Sequence, residues 1–328
     1  MSNPPAVMAT VFGKPKRKKT SDTLAAFPNG LFIGVPSSLT LVAQNELGFT
    51  PRVFETPPQT LPDLLHLLHS VSAQAQEFGA IIVDDASHIC QQSMLQWQEE
   101  APRGRSGKPD RFWPYQQLQR SLLELAGTAR YLGVHFVMTF HEREGGTNSM
   151  GHFTPGGPDL PSRNQVERIP SWCDINVRSI IDPDYPDPWF KGAYYCNPHD
   201  SDWITGDRTG VCTRTEQNAP ANLREILRAS NSGYQLPRIA GLEWQDELAD
   251  EVAQRFIGGE NVEDIVKDVN ASWSKKKIQP LHLRWACQDG IARGVLRIQS
   301  NRGLFDFTAQ EVGGASSPSL PPPPPSST

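Results

Sequence analysis

The chain is predicted to be an α/β protein: a mainly parallel sheet covered by helices on both faces, followed by a small helical unit that ends in a β-hairpin. Three observations predict this. Short apolar runs alternate with helix-period stretches through the first two thirds of the 328 residues. One run, AIIVDD (80–85), is continuously apolar and closes on two acids, the pattern of a strand buried on both faces. The last third loses the alternation and reads as three helices and a hairpin.

Taken in order, AVMATVF (6–12) is a β-type run, and SDTLAAF (21–27) starts a helix with Thr20, Ser21 or Asp22 near its cap. GLFIGV (30–35) and PRVFET (51–56) are further strand-like runs. Residues 61–79 carry Leu61, Leu64, Leu65, Leu68 and Val71 at helical spacing. The stretch 115–133 has an apolar face through Leu118, Leu122, Leu125 and Ala129, with Gly133 behind it as a stop. VHFVMTF (134–140), DINVRSII (174–181) and GAYYCN (192–197) complete the strand set. A boundary falls in 229–241. Beyond it, 244–257 and 261–270 read as helices, the second with Asn261 and Asp264 spaced like a capping box. A third helix covers 276–290 with Pro280 near its first turn, and GVLRIQ-SNRG-LFDFT (294–308) reads as a hairpin. Three helices and a hairpin are the order of a winged helix-turn-helix. The expected division is therefore 1–235 for the α/β core, 241–308 for the winged-helix-like unit and 309–328 for a Pro/Ser-rich tail. That tail, with five consecutive prolines, cannot bury a core and is expected to be disordered.

Composition narrows the function classes. A net charge of −5 excludes a wholesale nucleic-acid coat, so any basic function is local. Cys90, Cys173, Cys196, Cys212 and Cys287 are scattered without a C-x-x-C, which predicts reduced structural thiols in a cytoplasmic protein and neither a disulfide framework nor a zinc site. No apolar run approaches the roughly 20 residues of a membrane span, and the first residues lack the pattern of a secretory signal.

The stretch VFGKPKRKKTSDTLAAF carries the chemistry. Five of the six residues from Lys14 to Lys19 are basic, but their position says more than their charge, because they join a strand to a helix. The spacing Gly13, four residues, Lys18, Lys19, Thr20 matches G-x-x-x-x-G-K-[ST] except that Lys18 stands where the second glycine belongs. In such a loop Gly13 allows the tight turn. Lys14, Lys18 and Ser21 belong to the phosphate cradle, Lys19 reaches the β and γ phosphates, and Thr20 gives a hydroxyl to Mg²⁺. Asp84, ending an apolar strand, is the expected second metal ligand. A surface basic loop and a nuclear-localisation signal are the competing readings of the same residues.

Together with AIIVDDASHI and GVHFVMTFHERE, this stretch resembles phage-encoded P-loop ATPases of the RecA-like superfamily, some of which act in single-strand annealing or recombination. The resemblance spans about residues 7–229. It implies a RecA-like core that binds ATP with Mg²⁺, assembles as a homo-oligomer, favours single-stranded DNA and, if phage-encoded, works in the host cytoplasm. Two departures stand out. Lys18 costs the backbone freedom of glycine. The glutamate that such enzymes carry after the second strand is absent from GVPSSL (34–39). Asp85 or Glu55 could replace it as general base, the alternatives being a helix cap for Asp85 and a solvated acid for Glu55. His141 and Glu142 lie where a γ-phosphate sensor sits, although a satisfied polar strand end explains them equally.

Other candidates are weaker. The long Gly-rich segment after His141 could hold DNA, with Phe153 stacking on a base, or be a plain surface loop. Asp182, Asp184 and Asp187 read better as turn chemistry next to prolines than as a cation site. Lys275, Lys276 and Lys277, with Arg284 and Arg302, fall on the third helix and wing that a winged helix turns towards a duplex; a protein-contact surface or a solvated basic face explains them as well. Arg163, Arg168 and Arg178 are candidates for an arginine finger. The expected function is an ATP-binding protein acting on DNA in recombination or replication, with slow hydrolysis. The alternatives are a non-hydrolysing P-loop scaffold and a winged-helix regulator.

Overall fold

The structure is a computed structural model that describes residues 6–104, 107–147, 151–181, 192–197, 201–212 and 223–230, separate positions between 251 and 271, and two strands at 297–299 and 306–308. Along the chain the strands are β1 (Met8–Gly13), β2 (Leu31–Gly34), β3 (Arg52–Val53), β4 (Ala80–Asp84), β5 (His135–Arg143), β6 (Gly146–Thr147), β7 (Phe153–Thr154), β8 (Gly157–Pro158), β9 (Ile175–Ile181), β10 (Gly192–Tyr195), β11 (Gly206–Asp207), β12 (Arg297–Gln299) and β13 (Asp306–Thr308). The helices are α1 (Lys19–Ala26), α2 (Pro36–Val42), α3 (Leu61–Val71), α4 (Ala75–Phe78), α5 (Ala86–Glu100), α6 (Trp113–Leu132), α7 (Arg163–Val166), α8 (Ile169–Trp172) and α9 (Leu223–Ala229).

The central sheet runs in the order β10-β9-β1-β5-β4-β2-β3. Its five pairings from β9 to β3 are parallel, while β10 and β11 pair antiparallel with β9. This is the α/β P-loop NTPase architecture expected of the RecA-like reading. Strand alternation sends side chains to two cores. Phe12, Ile33, Ile81, Val83, Phe136 and Phe140 pack with α3, α5 and α6. Ala9, Val11, Phe32, Ile82, Val137 and Val177 pack with α1, α2 and α9. Both faces are thus covered, as parallel strands require.

Two stretches differ from expectation. The helix expected over 61–79 is three pieces: α3, capped by a Thr60–Asp63 box, then a 3₁₀ turn Ser72–Gln74, then α4. A Ser-Val-Ser run at 70–72, whose hydroxyls bond back to the carbonyls of Leu67 and His69, favours that break. The 15-residue α5 arises directly after Asp85, which caps it. Of the expected C-terminal unit, β12 and β13 pair antiparallel with Ile298 opposite Phe307, and the residues between them lie outside the described residues. Most of its expected helices lie outside the described residues, as do Lys275, Lys276, Lys277, Arg284, Arg302, Asp182, Asp184, Asp187, Cys287 and the 309–328 tail. Cys90, Cys173, Cys196 and Cys212 are free and buried, and burial pushes the Cys173 thiol up to about 12. Among the described residues no helix is long and apolar enough to cross a membrane.

Candidate nucleotide-binding site

The loop after β1 and the acids after β4 open at the same carboxyl edge of the sheet, with β5 between them. Such an edge is where ligands of open α/β sheets bind. Gly13 pairs with His141 across β1–β5, and Val83 pairs with Met138 across β4–β5.

Gly13 does not serve a left-handed turn. A Cβ there would lie 2.5 Å from the Ser179 carbonyl oxygen, so the glycine lets β9 approach the loop. Ser179 also donates its hydroxyl to the Arg17 carbonyl at 2.5 Å, tying the loop to β9. The conformational demand falls instead on two lysines, Lys16 at φ 61° and Lys18 at φ 64°. Lys18 is the residue that replaces a glycine, and its left-handed backbone is why glycine suits that position. It precedes α1, whose first turn closes with Asp22 N donating to Lys18 O at 2.9 Å.

Lys19 opens α1 and is only 8% exposed. Its Nζ donates to the carbonyls of Gly13 (2.9 Å) and Lys14 (3.0 Å), so the ammonium sits inside its own loop. Burial lowers its pKa, opposed by the charges of Asp84, Asp85 and Glu142. Thr20 Oγ1 donates to Asp84 Oδ2 at 2.9 Å across 64 residues of sequence. The other Asp84 oxygen accepts from Thr139 Oγ1. Burial pushes the Asp84 carboxyl up, while the Thr139 and Thr20 hydroxyls hold it down. A hydroxyl beside a half-buried carboxylate is the oxygen donor set that suits Mg²⁺, so these residues fit the metal that the motif implies.

Asp85 does two things. Its Oδ1 accepts from the amides of Ser87 (2.6 Å) and His88 (3.4 Å), capping α5. Its Oδ2 lies 2.9 Å from His141 Nε2. The structure thus brings together the expected base and the expected sensor. Glu55 is not brought to them. It is exposed beyond β3, two strand positions from β4, which at a strand spacing of ~4.8 Å puts it about 10 Å to the side of Asp84. Ser21 is buried on α1. Phe153, 49% exposed, stands on the β6–β7 hairpin, so the Gly-rich segment is partly ordered as strand. Arg163 and Arg168 are exposed. Arg178 is held by Glu142, with Nε 2.9 Å from Oε2 and Nη2 3.2 Å from Oε1.

Three contributors went unread in the sequence: Thr139, Glu142 as an ion-pair partner, and Ser179. The lone threonine inside the apolar run VHFVMTF is a legible signal, since a polar residue on a buried strand needs a partner. The other two depend on which strands become neighbours.

A family model described as an AAA domain matches residues 6–211. Among solved structures, the chain is similar to the RadB recombinase at 14% identity and a TM-score of 0.35, over 63% of this chain and 92% of that one. The search among curated proteins gives no match.

Proposed function

The chain belongs to the AAA domain family, and from that premise we propose that it is a P-loop ATPase that binds ATP with Mg²⁺ at residues 13–20 and acts on DNA in recombination or replication. The observation that carries the reading is the contact of Thr20 with Asp84 beside the buried Lys19 ammonium. Two motifs far apart in sequence meet as one donor set.

In this reading Lys19 exchanges the carbonyls of Gly13 and Lys14 for phosphate oxygens, and the Lys14 ammonium, the backbone of Lys18 and the amides at the start of α1, including Ser21, complete the cradle. Thr20 and Asp84 would hold Mg²⁺, which would supply charge neutralisation at the phosphates. Asp85, positioned by its α5 amides and by His141, orients water through Oδ2. The contact itself supports that assignment, because geometry precedes pKa in choosing a base. Glu55 is the second choice for that role, disfavoured by its place at the sheet edge. Phe153 offers a ring for base stacking, and the Lys275–Lys276–Lys277 cluster with Arg284 and Arg302 offers backbone contacts. Assembly as a homo-oligomer, a preference for single strands and a phage setting belong to the same proposal.

The test is ATP hydrolysis with and without single-stranded DNA, run beside Lys19→Ala. Turnover that DNA stimulates and Lys19→Ala abolishes is expected. Binding of ATP without turnover under any condition would leave the non-hydrolysing scaffold. Equal ATP affinity in Lys19→Ala and the unmodified chain would overturn the site.

A further inference from the structure

Lys14, the first residue of the loop after Gly13, already has anionic partners within its own chain. Its Nζ lies 3.0 Å from Glu144 Oε1 and 3.8 Å from Glu142 Oε1. Glu142 lies near the end of β5 and Glu144 just past it, next to the strand that delivers the loop. We propose that Glu142 and Glu144 are positioning residues that act as an internal counter-anion, holding Lys14 where a phosphate would otherwise hold it, so that nucleotide binding is a competition between phosphate and these carboxylates. This rests on residues 13–20 being a phosphate loop.

The two acids differ in how firmly they are held, and that difference decides which partner moves. The Glu142 side chain is 3% exposed and takes two hydrogen bonds from Arg178. The Arg178 guanidinium is itself 3.4 Å from the Trp203 ring centroid, and Trp203 stacks on Phe12 of β1 with centroids 6.3 Å apart. A carboxylate fixed by a bidentate arginine under an aromatic ring cannot swing. Lys14, half exposed on a flexible stem, can. Glu144, 72% exposed, is the outer and weaker hold. Glu142 also faces Lys19 electrostatically, being among the charges that oppose the lowering of its pKa by burial. The loop is therefore kept folded by acids of its own chain, at the cost of negative charge beside an anion site.

Both consequences have the same sign. Removing an acid frees Lys14 and removes repulsion of phosphate, so ATP should bind more tightly. The experiment is ATP binding to the intact chain by calorimetry, with Mg²⁺ and at two salt concentrations. The variants are Glu144→Gln, Glu142→Gln, Lys14→Met, the double variant Lys14→Met/Glu144→Gln, and Lys19→Ala as the control for the loop. Glu144→Gln should tighten binding about two- to fivefold at low salt, with the gain shrinking as salt rises. Glu142→Gln should tighten it about tenfold with less salt dependence. The Glu144→Gln gain should largely vanish in the Lys14→Met background, which shows that it acts through Lys14. Should Glu142→Gln fail to fold, the exposed Glu144 and the double-variant cycle decide alone. Unchanged or weaker ATP binding in Glu144→Gln, with Lys19→Ala still losing it, overturns the counter-anion while leaving the loop intact. So does a gain that persists without Lys14. No ATP binding by the unmodified chain overturns the loop itself, and this proposal with it.

Discussion

Lys18 holds φ 64° and ψ 14° at the entrance to α1, a conformation that costs a side-chain-bearing residue about 1–2 kcal/mol over glycine. Set against the greater unfolded-state freedom of glycine, Lys18→Gly should raise stability by about 0.5–1 kcal/mol, read from the urea midpoint. ATP affinity should be kept or improved; a loss would make the Lys18 ammonium a phosphate ligand in its own right. His135, at the start of β5, gives a second test at this scale. Its Nδ1 accepts from Val7 N at 3.2 Å, and burial lowers its pKa to about 4. The folded pKa lies below the unfolded value, so between about pH 6.5 and 4 the unfolded chain binds more protons, and stability falls as pH falls through that window. The full effect is up to about 3 kcal/mol. A series of denaturant melts from pH 7 to 4 should show this slope, and His135→Gln should flatten it. At this scale the sequence was legible where a motif sets which residues become neighbours. Thr20 meets Asp84 as the two motifs implied, and Thr139 stands out as a lone threonine in an apolar run, whereas Glu142 and Ser179 gain meaning only from the strands beside them.

At the scale of elements, β2 and β4 approach so closely that Gly34 has no room for a side chain. A Cβ there would lie 1.9 Å from the Asp84 carbonyl oxygen, its partner in the ladder. Backbone cannot yield as a flexible side chain can, so Gly34→Ala must displace the end of β4. The expected outcome is a loss of about 2–4 kcal/mol, read by thermal or denaturant melts, together with weaker Mg²⁺-dependent ATP binding because Asp84 moves. Retention of both would mean that the two strands separate at no cost. The strands were legible as apolar runs, and Gly133 ends α6 in a left-handed conformation at φ 65° as its position implied. The break after α3 was not legible, because apolar spacing continues through it while hydroxyl-to-carbonyl bonds at Ser70 and Ser72 redirect the backbone.

At the scale of the molecule, the α1 side of the sheet connects the loop to the end of the described core. Asp22 on α1 accepts from Tyr194 OH on β10 and from Leu223 N at the start of α9, the latter at 2.9 Å. The residues proposed to touch nucleic-acid backbone lie further on. If the unit at 241–308 contacts DNA through its cations, neutralising Lys275, Lys276 and Lys277 together should lower the affinity of the intact chain and flatten its salt dependence, because fewer counterions are released. ATP binding should be unaffected. DNA affinity across a salt series reads the slope, and an unchanged slope would assign this unit to protein contacts.

The sequence by itself determined the α/β class, the order of the principal strands, the loop with its lysine and threonine, and the acid that Thr20 meets. The class, the strands and the loop follow from periodicity and short spacing, which are local properties; the acid, 64 residues from Thr20, was read from a second motif at the end of its own apolar run. Tertiary structure alone decided that β5 lies between β1 and β4, because strand order depends on which faces the crossover helices cover. That placement sets Thr139 against Asp84, His141 against Asp85 and Glu142 against Lys14. The pairing of β9 on the other side of β1 explains why Gly13 is a glycine: the Ser179 carbonyl leaves no space beside it.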